Sequence, residues 1–536
     1  TGNAILNDLV TQVPVTNYRT YQFFVVDVAL PAIPPEALFL YCTEGNLSVG
    51  VEERYDGSWS RMSNYPLVAW EWDFSYDETE GFNVEDTGRM VWHAFNEPGI
   101  YRVALRVRDE AGLEDLAYTD TVVGGLPTWQ NPQRLTDNIF FETFGGPTEP
   151  ANAIDVSADG VINLVYSYVS QDFTFFTEVA WIQLYPCDPI WSPPQVIWQS
   201  PPGTSAPLDV SLAVTEGDYS IIHVATASDT NSYLYLRYED FQWNPPVAIT
   251  DPTTEGTWVN GELARNDEGQ VGFVGEIIPP QPDAMNGDGI PALPAQLYFH
   301  QRSGGGFGAA TQIGTADVVT ELTGRGSYTS ISPSLAFSGA AGGGFMAVWE
   351  TLTTPYDGQT TVPADAPTNL KWNHRTGATW DGEAGLPAPF NRVDAPVLAL
   401  APNGSVWLAA SAGDAGNVYV NKYLPAGWTF WAPHLIEPDS TGAMVDLTID
   451  ADGRGALVIA QETGNNDLQA RVFDEDEMPD TAAGHNPLVN VESRISQRRW
   501  WPQIQGQNSG RFAAVWMTEK YAAFPDGGEL DWNMFQ

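Results

Sequence analysis

The stretch Leu126-Pro-Thr-Trp-Gln-Asn-Pro-Gln-Arg-Leu135 opens a sequence pattern that recurs along the rest of the chain. The pattern is an aromatic residue, two residues, usually Pro, two residues, and then Ile or Leu. Its copies are Trp129/Pro132/Leu135, Trp191/Pro194/Ile197, Trp243/Pro246/Ile249 and Phe430/Pro433/Ile436, with weaker copies at Phe307/Ala310/Ile313 and Trp380/Glu383/Leu386. Each later copy ends a repeat, whereas the first copy precedes any repeat.

A second landmark is a glycine-containing turn followed by an apolar strand. Turns of this kind favour tight hairpins, because Gly, Asn and Asp accept positive φ at little cost. They stand at Ser157–Gly160, Thr215–Gly217, Asp267–Gly269, Gly342-Gly343, Pro402–Gly404, Asp450–Gly453 and Asn508–Gly510. These turns predict seven repeat units, each of a length typical of a propeller blade.

The two patterns together predict how the array closes. The last repeat runs out of chain before its own aromatic–Pro–Ile strand, while 126–135 is a spare copy at the start. We therefore expect Trp129–Leu135 to pair with Glu529–Asn533, the third strand of the last unit, so that no long edge stays unpaired. The sequence predicts an all-β chain in which residues 125–536 form a seven-bladed β-propeller closed by its N-terminal strand, three strands plus one.

Residues 1–124 predict a separate β-sandwich with an N-terminal extension. Short alternating strands are separated by turns, as at Val68–Phe74, Arg89–Phe95 and Ile100–Asp109. The ordered motifs Trp72-Asp-Phe74, His93-Ala-Phe95, Pro98-Gly-Ile-Tyr101 and Val107-Arg-Asp109 resemble the polycystic-kidney-disease (PKD) module. The resemblance implies an immunoglobulin-like fold and an extracellular spacer or adhesion role. Ser75-Tyr76-Asp77 replaces the glycines of that module's turn. We assign Trp70 and Trp72 to packing.

The array resembles seven-bladed propellers of the lectin and sialidase-like kind in architecture alone. A sialidase-type Asp box requires Ser-x-Asp-x-Gly-x-x-Trp, and Ser157-Ala-Asp-Gly160 breaks both the spacing and the terminal Trp. The sequence shows no cluster of arginines suited to an acidic sugar, although arginines distant in sequence can converge in the fold.

Charge and hydropathy exclude several classes of protein. The net charge of −45, from 68 acidic and 23 basic residues, repels phosphate backbones and excludes nucleic acid as a partner. The sequence contains no run of 18 apolar residues, so we expect no membrane insertion.

Candidate ligand residues lie at the expected channel mouth and in two long loops. Asp209, Asp394 and Asp446 come near the starts of predicted inner strands, where they would bind a ligand. Asp283, Asn286 and Asp288 in one loop, with Asp357 and Asp365 in the other, are candidate ligands of Ca²⁺, and we expect the two loops to share one face. The alternative is a plain solvated loop, and the spacing is not that of an EF-hand. Cys42 and Cys187 either form one disulfide or remain two free thiols.

These features favour a secreted or cell-surface adhesion or scaffold protein whose propeller binds a glycan or a surface protein. No catalytic constellation is recognisable, so the sequence favours a non-enzymatic role. Two alternatives remain open, a glycan-active hydrolase or lyase that uses carboxylates at the channel mouth, and a structural subunit of a surface layer or filament.

Overall fold

The computed structural model shows an all-β protein. It describes residues 33–41, 47–62, 64–124, 129, 133–136, 142–143, 152–169, 176–185, 191–201, 209–216, 220–228, 232–250, 256–278, 295–316, 319–322, 328–331, 335–352, 368–386, 393–412, 417–424, 427–429, 432–434, 443–461, 468–474, 489–492, 499–507, 511–519 and 528–535. None of these residues belongs to a helix, and no segment among them is a helix long and apolar enough to cross a membrane.

The N-terminal strands form two antiparallel sheets that share one core. Their bounds are β1 (Leu40–Tyr41), β2 (Glu52–Asp56), β3 (Leu67–Asp73), β4 (Asp86–Thr87), β5 (Met90–Ala94), β6 (Gly99–Asp109) and β7 (Glu114–Val123). One sheet has the order β1-β2-β5 and the other β4-β3-β6-β7. Alternation along β6 turns Val103, Leu105 and Val107 inward against Trp72 and Tyr55. Trp72 is fully buried and donates its Nε1 hydrogen to the Gly88 carbonyl, 2.9 Å away, so its predicted packing role is confirmed.

The remaining strands form a series of antiparallel sheets, which we number 1 to 7 along the chain; sheets 1 and 7 are the two parts of one nine-stranded sheet. Two short strands come first, β8 (Gln133–Arg134) and β9 (Glu142–Thr143). Sheet 1 contains β10 (Ile154–Val156), β11 (Ile162–Val169), β12 (Thr177–Leu184) and β13 (Gln195–Gln199). Sheet 2 contains β14 (Val210–Thr215), β15 (Ile221–Ala227), β16 (Tyr233–Glu239), β17 (Gln242–Trp243) and β18 (Val247–Ala248). Sheet 3 contains β19 (Thr257–Arg265), β20 (Val271–Ile278), β21 (Ala295–Ser303), β22 (Gly306–Phe307) and β23 (Thr311–Ala316).

A separate hairpin, β24 (Val319–Leu322) with β25 (Tyr328–Ile331), follows sheet 3 and was not foreseen from the sequence. Sheet 4 contains β26 (Leu335–Ala340), β27 (Gly344–Leu352), β28 (Thr368–Thr376), β29 (Thr379–Trp380) and β30 (Ala384–Leu386), and sheet 5 contains β31 (Val393–Leu400), β32 (Val406–Ala412), β33 (Asn417–Leu424), β34 (Gly427–Trp428) and β35 (Ala432–His434). Sheet 6 contains β36 (Ala443–Ile449), β37 (Arg454–Gln461), β38 (Leu468–Asp474) and β39 (Val489–Glu492). Sheet 7 contains β40 (Arg499–Gln507), β41 (Arg511–Glu519) and β42 (Gly528–Phe535).

The first strands of the sheets follow one another in a closed circle. Each lies against the first strands of the preceding and following sheets, and β40 of sheet 7 lies against β10 of sheet 1. The second strands are apolar on both faces, since each sheet is covered on both sides by its neighbours; Ile162–Tyr166 of β11 is buried throughout. The core is therefore divided into clusters that lie between adjacent sheets.

The predicted closure of the array is confirmed. In the antiparallel pair of β8 with β42, Gln133 lies opposite Trp532 and Arg134 opposite Asp531. The short strand β9, which the sequence did not reveal, adds a second connection because it pairs with β42 of sheet 7 and with β11 of sheet 1. Backbone ladders thus join the two ends of the array.

The recurring aromatic residue marks a fourth strand that is broken in two. Trp243 lies opposite Tyr238, and the chain then resumes pairing four residues later at Val247. In sheet 5 the residue in this place is Trp428, which lies opposite Tyr423 before pairing resumes at Ala432. The predicted copy at Phe430 was therefore two residues out of register, because Trp428 and Phe430 both fit an aromatic template.

Candidate functional site

Three carboxylates on the first strands belong to one acidic cluster, defined here as Asp209, Glu262 and Asp446. Asp209 precedes β14, Glu262 lies in β19 and Asp446 lies in β36. The charges of Asp446 and Asp209 both act on Glu262, which places the three groups near one another on the inner side of the array. Asp209 and Glu262 are buried, and Asp446 is half-buried.

Two of these carboxylates also hold adjacent sheets together. Glu262 accepts a hydrogen bond from the backbone N–H of Phe337 in sheet 4, at 2.8 Å, and Asp446 accepts one from Ile504 in sheet 7, at 2.7 Å. The same kind of bond joins other neighbouring sheets, from Leu263 to the Ser211 hydroxyl and from Ala153 to the Gln503 amide oxygen. A buried N–H that lacks an acceptor is costly, so these side chains contribute to ring stability.

Asp209 is linked to sheet 3 through Tyr233. The Tyr233 hydroxyl donates to Asp209 at 2.7 Å and accepts from the backbone N–H of Gly261 at 2.8 Å. Gly261 lies in a β-bulge between Val259 and Glu262, and a Cβ there would overlap the Tyr233 ring. The bulge lets the ring approach the backbone and fixes the position of Glu262 in the channel wall.

The environment of the acidic cluster favours protonated carboxyl groups. Burial raises the pKa of Glu262 well above its ordinary value, and the nearby charges of Asp446 and Asp209 raise it further against the effect of the Phe337 hydrogen bond. Burial also raises the pKa of Asp446, to about 7, against the hydrogen bonds from Ile504 and Leu447. At neutral pH the cluster therefore contains a carboxylic acid capable of donating a proton beside a group that titrates, a combination suited to general acid–base chemistry.

The structure brings together only part of the predicted site. Asp209 and Asp446 lie in the acidic cluster, and their predicted ligand-binding role stays a prediction. Asp394 lies in β31 opposite Ser411, next to a bulge, and its side chain is not among those described. Asp283, Asn286, Asp288, Asp357, Asp365, Cys42 and Cys187 lie outside the described residues, and so does the predicted shared face of the two loops. Within the described part of the chain, no group of three or more His, Cys, Asp and Glu side chains is arranged to hold a metal ion.

Sequence reasoning missed Glu262 and Tyr233. Glu262 belongs to Val-Asn-Gly-Glu-Leu, in which the bulge at Asn260-Gly261 shifts the alternation by one residue. The signal available was the glycine within an apolar strand, which often marks a bulge or a close backbone approach.

The N-terminal sandwich touches sheet 7 through a buried ion pair. Glu53 of β2 contacts Arg511 at the start of β41, and both side chains are buried. Burial raises the pKa of Glu53, while the Arg511 charge opposes this effect. Gly50, in the preceding turn, lies next to Arg454 at the corresponding end of sheet 6. The two parts of the chain therefore meet at the ends of the last two sheets.

Comparisons with known proteins place one part of the chain in a family. Residues 42–123 match the family model of the PKD domain. No curated protein sequence matches the chain. Among solved structures, the PKD1 domain of the Vibrio cholerae metalloprotease PrtV is 24% identical, over 17% of this chain and 100% of its own length, with a TM-score of 0.14.

Two larger structures are similar to most of the chain. The polysaccharide lyase Uly1 is 11% identical over 76% of this chain and 99% of its own, with a TM-score of 0.43. The endosialidase of phage phi92 is 10% identical over 78% of this chain and 70% of its own, with a TM-score of 0.40. These values transfer neither an activity nor a residue role. What the comparisons identify is the N-terminal module: residues 42–123 are a PKD domain.

Proposed function

We propose that the chain is a secreted or cell-surface adhesion or scaffold protein. In this proposal residues 1–124 form an immunoglobulin-like PKD unit, and residues 125–536 form a seven-bladed propeller that binds a glycan or a surface protein. The closed circle of first strands supports the propeller, and the PKD match supports an extracellular location. Closure pairs the outer side of β42 with β8 and β9, and a closed ring whose sheet edges are short is a suitable rigid surface for recognition.

The observation that carries the proposal is the buried ion pair between Glu53 and Arg511. A flexible tether between two modules would leave these charges in water, whereas a buried, paired contact favours a fixed orientation. If the pair is broken while one of its side chains stays buried, that charge has no partner. The pair therefore favours the docked arrangement of the two modules. The PKD domain is then a rigid stalk that presents the propeller at a set angle.

A binding screen of the full chain tests this function. The purified protein is applied to a glycan array and, immobilised, to surface extracts followed by mass spectrometry. We expect saturable binding of at least one glycan or surface protein. Binding that persists when the ring is unfolded, or a blank result in both screens, would contradict the proposal.

A second candidate function is a glycan-active hydrolase or lyase, and the acidic cluster specifically favours it. A protonated Glu262 near Asp446 supplies the acid and base that such reactions use. The test is turnover on a polysaccharide panel by the wild type and by Glu262→Gln and Asp446→Asn variants. Turnover that is lost in both variants while their folds are retained would favour the enzyme over the adhesin.

A further inference from the structure

Two arginines that are distant in sequence converge between sheets 2 and 3. Tyr235 and Arg237 are two residues apart on β16 and share the strand face toward sheet 3. The Tyr235 ring packs edge-on against Phe307, with centroids 5.1 Å apart, and Phe307 lies opposite Arg302 in the β21–β22 pair. The charges of Arg237 and Arg302 both act on Tyr235. We call Arg237, Arg302 and Tyr235 the arginine site.

The two arginines of the arginine site differ in how their charges are compensated. Arg237 pairs with Glu239 at 2.6 Å. Arg302 has no carboxylate within salt-bridge distance among the described residues; its side chain hydrogen-bonds the Tyr235 hydroxyl, and its buried Nε has no partner among those residues. The chain has 68 acidic and 23 basic residues, so acidic partners are abundant. The charge of a half-buried guanidinium without a neighbouring anion is poorly compensated. Such a group is suited to binding an anion from outside the protein.

The side chains beneath Arg302 do not neutralise it. His223 is fully buried, bonded to the Thr215 hydroxyl and to the Tyr235 hydroxyl at 2.7 Å each. Burial, followed by the charges of Arg302 and Arg237, lowers the pKa of His223 well below its ordinary value, so the ring stays neutral. The site therefore keeps a net positive charge within a chain of net charge −45.

The hairpin that follows Arg237 on the same strand is strained and carries an exposed aromatic ring. Asp240 and Phe241, which connect β16 to β17, both have positive φ, 53° and 63°. The equivalent hairpins of sheets 3 and 4 use Gly304 and Gly377 for such angles. A bulky residue in this region is strained, and strain of this kind concentrates at ligand sites. The Phe241 side chain is 72% exposed, three residues after Tyr238 and four after Arg237.

We propose that the arginine site, together with Phe241, binds the carboxylate of an acidic sugar of the uronic-acid class. The proposal rests on the proposed function in its glycan-binding form and names the glycan's chemistry. The Arg302 fork matches a carboxylate in two parallel hydrogen bonds, and an exposed aromatic ring offers a face for the carbon-bound hydrogens of a sugar ring. A singly charged carboxylate also meets less repulsion from this acidic surface than a phosphate monoester, which carries about −1.5 to −2 at pH 7.

Titration of the full chain with trigalacturonic acid tests the proposal, with its fully methyl-esterified form as the neutral comparison. By isothermal calorimetry at pH 7 we expect the wild type to bind the acid at least about tenfold more tightly than the ester, because the ester lacks the charge-assisted pair. Arg302→Gln should lower affinity for the acid by about tenfold or more. Arg302→Lys should fall between the two, since it retains charge and loses the fork.

Arg108→Gln is the matched control, because Arg108 on the PKD domain already pairs with Glu114 at 2.7 Å. We expect it to bind as the wild type does. Equal affinity of the wild type for acid and ester would overturn the proposal without any variant, even if Arg302→Gln failed to fold. Unchanged binding in a folded Arg302→Gln, or no binding of the acid at millimolar concentration, would overturn it too. None of these results removes the proposed function, which is decided by binding of any glycan or surface protein.

Discussion

At the scale of single residues, the chain holds buried groups whose charge states depend on the fold. The pKa of His223 is lowered and the pKa of Asp446 is raised. The two groups therefore affect the stability of the fold over different pH ranges. Each group therefore gives a prediction that a substitution can isolate.

For His223, burial lowers the pKa below the ordinary value of 6.5, so the unfolded chain binds more protons at mildly acidic pH. The resulting stability is fully present above about pH 6.5 and is lost as pH falls toward the folded pKa. We expect the Tm of the wild type to fall faster than that of His223→Gln between pH 7.5 and 5. Parallel Tm curves for the two proteins would show that His223 is not the buried titrating group.

For Asp446, burial raises the pKa to about 7, so the folded chain binds the extra proton. The associated stability is complete below about pH 4 and is lost as pH rises through about 7, by at most about 1.4 kcal/mol per pH unit. Thermal unfolding of Asp446→Asn relative to the wild type measures this loss. The variant should gain relative stability from pH 5 to 8, and a constant difference would contradict the raised pKa.

At the scale of strands, two contacts decide whether the ring forms. The first is the approach of β26 to β19, at which a Cβ on Gly339 would overlap the Arg265 carbonyl oxygen. The second is the packing of Trp129, which precedes the closing strand β8, against the cluster between sheets 6 and 7.

Gly339→Ala forces these two strands apart. Overpacking costs about 1–3 kcal/mol, and more where the obstruction is backbone, so we expect a clear fall in the free energy of unfolding. Gly305→Ala is the matched control, since nothing lies within 4 Å of a Cβ there, and it should be neutral within about 0.5 kcal/mol. Equal denaturant midpoints for the two variants would show that β19 and β26 are not in close contact.

Trp129→Ala removes an aromatic ring that is packed but only partly buried. Complete burial of such a ring corresponds to about 3–5 kcal/mol, so for partial burial we expect about 2–3 kcal/mol. Trp59→Ala, at a ring that is mostly exposed on the PKD domain, serves as the control. If urea unfolding gave the same midpoint for both, Trp129 would have no part in closing the ring.

At the scale of the whole molecule, the Glu53–Arg511 pair couples the PKD domain to sheet 7. Glu53→Gln leaves a buried guanidinium uncompensated, which costs about 3–5 kcal/mol at the interface. We expect a lower Tm and faster proteolytic cleavage between the two parts. The double variant Glu53→Met/Arg511→Met should recover much of the loss, and Glu110→Gln, at an exposed site, should change nothing. Wild-type proteolysis rates in Glu53→Gln would rule out rigid coupling.

The sequence by itself determined the all-β class, the PKD module, the closing strand and those glycine turns that lie within the described residues; Gly217 and Asn508–Gly510 lie outside them. These features depend on local backbone preference and on alternation of apolar residues, which a linear pattern records. The exact place of an aromatic was less secure, as Trp428 shows, because neighbouring aromatics fit one template equally well.

Only the tertiary structure decided which polar groups share a site. Glu262 joined Asp209 and Asp446 because a bulge changed the face of its strand, and Arg302 met Arg237 because adjacent sheets bring together residues 65 positions apart. Burial, and hence the pKa of His223 and Asp446, also exists only after packing. Charge and desolvation act through space, so no one-dimensional pattern contains them.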